Sequence, residues 1–164
     1  MSSTDTICTR VADLRCPADL DATVSLLDMY AREPMGAARA LSEEVRSRLY
    51  RDLPELEQIL VFLAEDTQGE PLGIAFCVLG YSTFAARPLI NIHDLAVRPE
   101  ARGRGVGSAL INAVIAEARQ RHCCKVTLEV RTDNVGAQRL YRRYGFTGGP
   151  PESLMQFWTL SLTD

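Results

Sequence analysis

Apolar residues recur at helical spacing near the start of the chain. From Asp19 to Ala31 they fall at Leu20, Val24, Leu27 and Ala31, one face of a helix. Ser42 to Asp52 predicts a second helix, with Ser42 as N-cap and Val45 and Leu49 one turn apart. Pro54 discourages its continuation. The pattern then changes. Ile59 to Ala64 is a short apolar run of strand formers, Asp66-Thr-Gln-Gly69 is a turn signal, and Leu72 to Leu79 reads as the returning strand of a hairpin. Pro88 interrupts before a third strand, Leu89 to Val97. A Gly/Arg loop covers Pro99 to Gly107. Helical spacing resumes at Val106, Ala109, Leu110, Ala113 and Val114 and continues to about Arg121. Lys125 to Arg131 alternates, with Val126, Leu128 and Val130 on one face and Thr127, Glu129 and Arg131 on the other. Asn134 to Tyr144 is a further helix with Gly145 as its stop and Phe146 packing back on its last turn. Phe157 to Leu162 is a final strand. Two helices, three strands, helix, strand, helix and strand describe a mixed sheet covered by helices.

The 164 residues suit one domain. Hydrophobic residues make up 46% and the net charge is −3, which supplies a normal core and no general attraction to nucleic acid or an anionic membrane. No apolar run approaches the ~20 residues that span a bilayer. The opening residues lack a basic segment followed by an apolar one, so a cytoplasmic location is expected. Cys8, Cys16, Cys77, Cys123 and Cys124 are odd in number and match no zinc spacing. They are expected to be reduced structural thiols, and no metal is expected.

The chemistry concentrates in Arg102-Gly-Arg-Gly-Val-Gly107, between a predicted strand and a predicted helix. Gly103, Gly105 and Gly107 permit a tight turn and close approach of a ligand to the backbone. The first turn of the helix, Val106 to Ser108, exposes N–H groups with no partner of their own. These donors and the helix dipole suit a diphosphate, and Arg102 and Arg104 add charge-assisted bonds. No Gly-Lys-Ser/Thr closes the loop, so it is not a Walker loop, and the Gly-x-Gly-x-x-Gly spacing of a dinucleotide fold is absent.

Two longer stretches carry a family resemblance. Ile92-His-Asp-Leu-Ala-Val-Arg-Pro-Glu-Ala-Arg-Gly-Arg-Gly-Val-Gly-Ser-Ala-Leu110 is similar to the acetyl-CoA signature of the GNAT superfamily of N-acyltransferases. Asn134-Val-Gly-Ala-Gln-Arg-Leu-Tyr-Arg-Arg-Tyr-Gly-Phe146 resembles the same family's Asn-x-x-Ala-x-x-Leu-Tyr-x-x-x-Gly-Phe segment. A weaker similarity, through Tyr81-Ser-Thr-Phe84 and Asp94-Leu-Ala-Val97, points to the diamine/polyamine and thialysine acetyltransferase branch. That branch has Glu-Asp where this chain has His93-Asp94, and an aromatic residue where it has Ala96.

The resemblance implies an α/β (α+β) fold whose mostly antiparallel sheet has central strands splayed at a bulge, with helices on both faces. It divides a single domain, 1–164, into an acceptor-side helical region (1–58), strands (59–98), an acetyl-CoA core (99–146) and a C-terminal strand (147–164). It implies transfer of acetyl from acetyl-CoA to a primary amine of a small molecule, with a protein or peptide acceptor, or a non-catalytic acetyl-CoA-binding module, as the alternatives; the charge balance gives no expectation of nucleic acid or membrane as partner. Dimers are common in the family, with C2 symmetry as their usual form, so a homodimer is one expectation. Leu95, Ala96 and Val97 would offer backbone groups to the pantetheine and acetyl carbonyl, at a bulge that splays their strand from the Lys125 to Arg131 strand. Arg102, Gly103, Arg104, Gly105, Val106, Gly107 and Ser108 would hold the diphosphate. Asn134 would contact the cofactor, and Tyr141 would face the sulfur and assist the leaving thiolate. For the base that neutralises the amine, His93 comes first and Glu129 second. Tyr81 and Arg87 join them on the acceptor side. Asp28, Glu33, Glu43 and Glu44 read as a solvated helix face that would also attract a cation.

Overall fold

The computed structural model describes residues 6–148. Five strands form one sheet in the order β1 (Cys8–Val11), β2 (Ile59–Glu65), β3 (Pro71–Ser82), β4 (Arg87–Val97) and β5 (Val126–Leu128). The first three pairings are antiparallel and β4–β5 is parallel. Helices α1 (Pro17–Arg32) and α2 (Glu43–Asp52) precede β2. Helix α3 (Val106–Gln120) crosses from β4 to β5, and α4 (Val135–Arg143) follows β5. This is the expected α/β sheet with helices on both faces.

Side-chain alternation in β2 and β3 makes two cores. Leu60, Phe62, Ala75 and Cys77 pack with Leu110, Ile111 and Val114 of α3. Val61, Leu63, Ile74 and Phe76 pack with Leu20, Val24 and Leu26 of α1. Both faces of these strands are buried, so they read as continuous apolar runs. The helix caps follow local chemistry. Ser42 Oγ accepts the Val45 N–H at 3.2 Å, as its N-cap position predicts. The predicted C-terminal strand, Phe157 to Leu162, lies outside the described residues.

The layers approach closely where β3 passes under α3. A Cβ on Gly73 would stand 2.8 Å from the Ala96 carbonyl oxygen and 3.0 Å from Val106 Cγ1. Gly73→Val must therefore lift the helix start from the sheet. The expected cost is about 2–3 kcal/mol, read as a lower urea midpoint.

One expectation is corrected in extent. The alternating run Lys125 to Arg131 is strand only over Val126–Leu128. Its partner is the reason. Pairing with β4 runs Ile90↔Val126, Asn91↔Thr127 and Ile92↔Leu128 and then stops. There β4 carries a bulge: Cys77 faces Ile92 and Phe76 faces Asp94, which leaves His93 as the extra residue. The splay was expected at Leu95 to Val97 and begins at His93. β1 was not anticipated; its four residues, mostly exposed, show no alternation.

Candidate active site

Where β4 and β5 part, a cleft of about 700 Å3 opens, within the range of small-molecule sites. Its walls are the free edge of β4, the loop before α3, the segment after β5, the inner face of α4 and the end of α1.

The β4 edge is set by the ladder itself. The Arg98 N–H donates to the Leu72 carbonyl at 2.8 Å, so Val97 and Gly73 form a non-hydrogen-bonded pair. Pairs alternate along an antiparallel ladder. Leu95 and Val97 therefore direct their N–H and C=O groups away from β3, toward the cleft, whereas Ala96 is bonded to Ile74. Beyond Ile92 no β5 residue takes up those groups. Arg102 Nε reaches the Val97 carbonyl at 3.2 Å.

The loop before α3 turns through two left-handed glycines, Gly103 (φ +75°) and Gly105 (φ +90°). Gly105 is the N-cap of α3 and has no side chain to satisfy the helix's first N–H groups; no acidic residue stands in the first turn. The donors of Val106, Gly107 and Ser108 face an open, electropositive concavity. A Cβ at Gly103 or Gly105 would meet nothing within 4 Å, so there is room above the loop for a ligand. The donor set and the room fit an anionic diphosphate.

Tyr141 projects from α4 into the same cleft and is 8% exposed. Its ring lies 5.9 Å from that of Phe146, and the Phe146 N–H returns to the Tyr141 carbonyl at 3.1 Å. Among the described residues its hydroxyl has no hydrogen-bond partner. Burial pushes the phenol up to about 12, with Tyr30 adding to the effect. Tyr144, one turn on, is tied down: its hydroxyl donates to the Ser108 carbonyl and accepts from Asn112 Nδ2, both at 3.2 Å. Asn134 lines the cleft while its Oδ1 caps α4, accepting the Ala137 N–H at 3.1 Å.

Most of the site residues named from sequence thus converge. His93, Leu95, Ala96, Val97, Arg102, Gly103, Gly105, Val106, Gly107, Ser108, Glu129, Asn134 and Tyr141 all line the cleft. Arg104, on the same loop, does not. Tyr81 and Arg87 do not line it either. They lie near the tip of the β3–β4 hairpin, Tyr81 opposite Pro88 and Arg87 opposite Ser82, and Arg87 lies six residues before His93, about 20 Å along an extended strand. His93 and Glu129 are exposed on opposite rims.

His93 and Asp94 form no ion pair or hydrogen bond. Asp94 lies on the α1 side of β4, where burial pushes its carboxyl up against the pull of His93. The N-terminal helices were expected on the acceptor side, with Glu33 read as one acid of a solvated face; Glu33 lines the cleft together with Tyr30 and Met35, which sequence reasoning missed. Burial raises the Tyr30 phenol, helped by the charges of Asp94 and Glu33. The helical stripe of α1 points Tyr30 inward, one residue before Ala31, and nothing else in the sequence marks it.

All five cysteines are free thiols. Among the described residues there is no cluster of His, Cys, Asp or Glu that would hold a metal, and no helix is long and apolar enough to cross a membrane.

A strand edge that opens beside a bare helix N-terminus is what the resemblance to the acyl-CoA N-acyltransferases implies. The chain belongs to the acetyltransferase (GNAT) family, whose model matches residues 24–146. It is 38% identical over 86 residues to an uncharacterized N-acetyltransferase of Methanocaldococcus jannaschii, a match covering 52% of this chain and 38% of that one. To the thialysine N-epsilon-acetyltransferase of Bos taurus it is 38% identical over 84 residues, 47% of this chain and 48% of the other. The chain thus matches less than half the length of either relative. An aminoglycoside acetyltransferase from a soil metagenome, solved with sisomicin, superposes with a TM-score of 0.75 at 16% identity, over 94% of this chain and 97% of that one. That likeness is one of fold.

Proposed function

We propose that the protein is an acetyl-CoA-dependent N-acetyltransferase that passes acetyl directly to a primary amine of a small molecule within a ternary complex. The observation that carries this reading is the convergence, in one cleft, of an unpaired strand edge, a helix N-terminus without a side-chain cap and a largely buried tyrosine whose unpartnered hydroxyl faces the cleft. GNAT acetyltransferases use acetyl-CoA as cosubstrate, and each wall of the cleft answers to a part of it.

The N–H groups of Val106, Gly107 and Ser108 receive the diphosphate. Leu95 and Val97 offer strand-edge groups to the amide-bearing arm, and the Val97 N–H is placed to hold the carbonyl oxygen as negative charge develops. A lysine-like amine has a pKa near 10.4, so neutralising it at pH 7 costs about 4.6 kcal/mol. His93 or Glu129, directly or through water, takes that proton. Tyr141 donates a hydrogen bond to the departing sulfur.

Two measurements test the reading. Calorimetry with purified protein should show uptake of acetyl-CoA and CoA. A panel of polyamines, amino acids, thialysine, aminoglycosides and short peptides should give acetyl-dependent thiol release with at least one small amine. Uptake without turnover of any amine would leave a cofactor-binding module in place of an enzyme, and turnover of peptides alone would move the acceptor to proteins.

The loop offers a sharper check. Gly105 adopts φ +90°, ψ 3° at the helix start, a conformation that costs an L-residue roughly 1 kcal/mol. Gly105→Ala should therefore weaken acetyl-CoA binding about tenfold by turning the first helical N–H groups off their target, with little loss of fold. Titration of the two proteins with acetyl-CoA reads the difference.

A further inference from the structure

The two walls of the cleft are joined by one ion pair. Glu33 is the C-cap of α1, with its backbone fixed by a bond from its N–H to the Tyr30 carbonyl. Its Oε1 accepts from Arg102 Nη2 at 2.5 Å, across 69 positions of sequence. Glu33 belongs to the acceptor wall, and Arg102 belongs to the loop that faces the diphosphate. Both line the cleft. The Glu33 side chain is 22% exposed, against 51% for Arg102.

We propose that Glu33 exchanges partners during the reaction cycle: it holds Arg102 while the cleft is empty, yields it to the cofactor's diphosphate, and then serves as counter-ion for a second cationic group on the acceptor. This deepens the acetyltransferase reading and rests on it.

Two anions, Glu33 and the diphosphate, compete for one guanidinium. A guanidinium has five donors, but here Nε is committed to the Val97 carbonyl and Nη2 to Glu33. Nη1 and the second Nη2 hydrogen remain, so a diphosphate drawn to the N-terminus of α3 competes with Glu33 for the position and charge of the whole guanidinium, and Arg geometry favours phosphate oxygens. Its charge also repels the Glu33 carboxylate. Once displaced, that carboxylate is a mostly buried anion facing the cleft without its partner, which is costly until a cation reaches it. The attacking amine must be neutral, so the cation is a second ammonium group on the acceptor. The acceptor class is then a diamine or an amine of similar charge pattern.

Linkage makes the exchange reciprocal. An acceptor that engages Glu33 releases Arg102 and strengthens cofactor binding by the same factor. The direction of the effect separates this role from a merely structural one. If the ion pair only braced the loop, its removal would weaken the cofactor. If it competes with the diphosphate, its removal strengthens it.

The test is calorimetry of CoA with wild type, Glu33→Gln and Glu33→Ala, each with and without 1,4-diaminobutane, and with butylamine as the singly charged control. Thermal melting confirms that each variant is folded. The expected result is CoA binding up to about fivefold tighter in both variants, the upper range for a partly exposed pair. The diamine should tighten CoA binding to wild type, butylamine should not, and neither should act on the variants. Weaker or unchanged CoA binding in folded variants overturns the exchange. A diamine without effect on wild type overturns the acceptor role. If no protein in the set takes up CoA, the acetyltransferase reading itself falls, and this proposal with it.

Discussion

Tyr141→Phe is expected to lower turnover about a hundredfold, the lower end for loss of a proton-donating group, while leaving acetyl-CoA uptake nearly unchanged. The ring would remain against Phe146 and the buried stripe of α4, because only the hydroxyl is removed and that hydroxyl bonds to nothing else among the described residues. Folding should therefore survive, and a loss of turnover would report on chemistry. The structure also refines what the hydroxyl does. At its ordinary pKa of ~10, full transfer of the proton to a thiolate of pKa ~8.5 is uphill by about 2 kcal/mol. Burial pushes the phenol up to about 12, which raises that cost to about 5 kcal/mol. In the proposed mechanism Tyr141 would then be a hydrogen-bond donor that stays protonated, and the proton that finally neutralises the thiolate would come from the tetrahedral ammonium. It follows that Tyr141 does not titrate in the working range. Its removal should lower the rate by the same factor from pH 6 to pH 9. Single-turnover thiol release across that range, beside acetyl-CoA titrations, checks both statements. A variant with wild-type turnover would remove Tyr141 from the mechanism, and one that no longer binds acetyl-CoA would make its role architectural.

How much of this was legible beforehand depends on the length scale of the signal. The loop Arg102 to Gly107 and the helix Val135–Arg143 are local: glycine spacing, an Asn cap and a Gly stop each act within one turn. They were readable, and they carry most of the cofactor wall. The acceptor wall is different. Tyr30, Glu33 and Met35 meet Tyr141 and Arg102 only because α1 packs across the sheet. Glu33 read as one acid among several on a solvated face, since its partner lies 69 residues away. The bulge was placed late for a related reason. Nothing local in Ile90-Asn-Ile-His-Asp94 marks a bulge, and only the register against β3 shows that His93 faces no residue. β1 escaped notice because a short edge strand is held by its neighbour and by the ion pairs of Arg10, with almost no burial pattern of its own.

Those ion pairs lead to the other large effect, a dependence of stability on acid pH. Asp19 is 6% exposed and accepts three bonds at 2.7 Å: two from Arg10 and one from the Asp13 N–H. Arg10 holds its carboxyl below the ordinary 3.8, against the opposing effect of burial. Asp28 is held low as well: burial pushes it up, but the Arg32 side chain, the Leu41 N–H and Arg46 outweigh burial. A carboxyl with a depressed native value binds fewer protons folded than unfolded. Its contribution is complete above the unfolded value and is lost as pH falls through the folded one. Asp19→Asn should cost about 2 kcal/mol at pH 7, for the loss of charge-assisted bonds to a guanidinium that remains half in water. That corresponds to a melting point lower by about 4–8 °C. As pH falls below the ordinary carboxylate range, the unfolded chain takes up a proton that the folded carboxyl resists, so the gap between the two proteins should narrow. Asp28→Asn should behave alike and should also loosen the 33–41 segment, because Asp28 Oδ1 holds the Leu41 N–H at 2.8 Å. Urea unfolding at pH 7 and pH 3 measures both gaps. If the Asp19→Asn penalty is the same at the two pH values, the carboxyl acts through shape and not through charge.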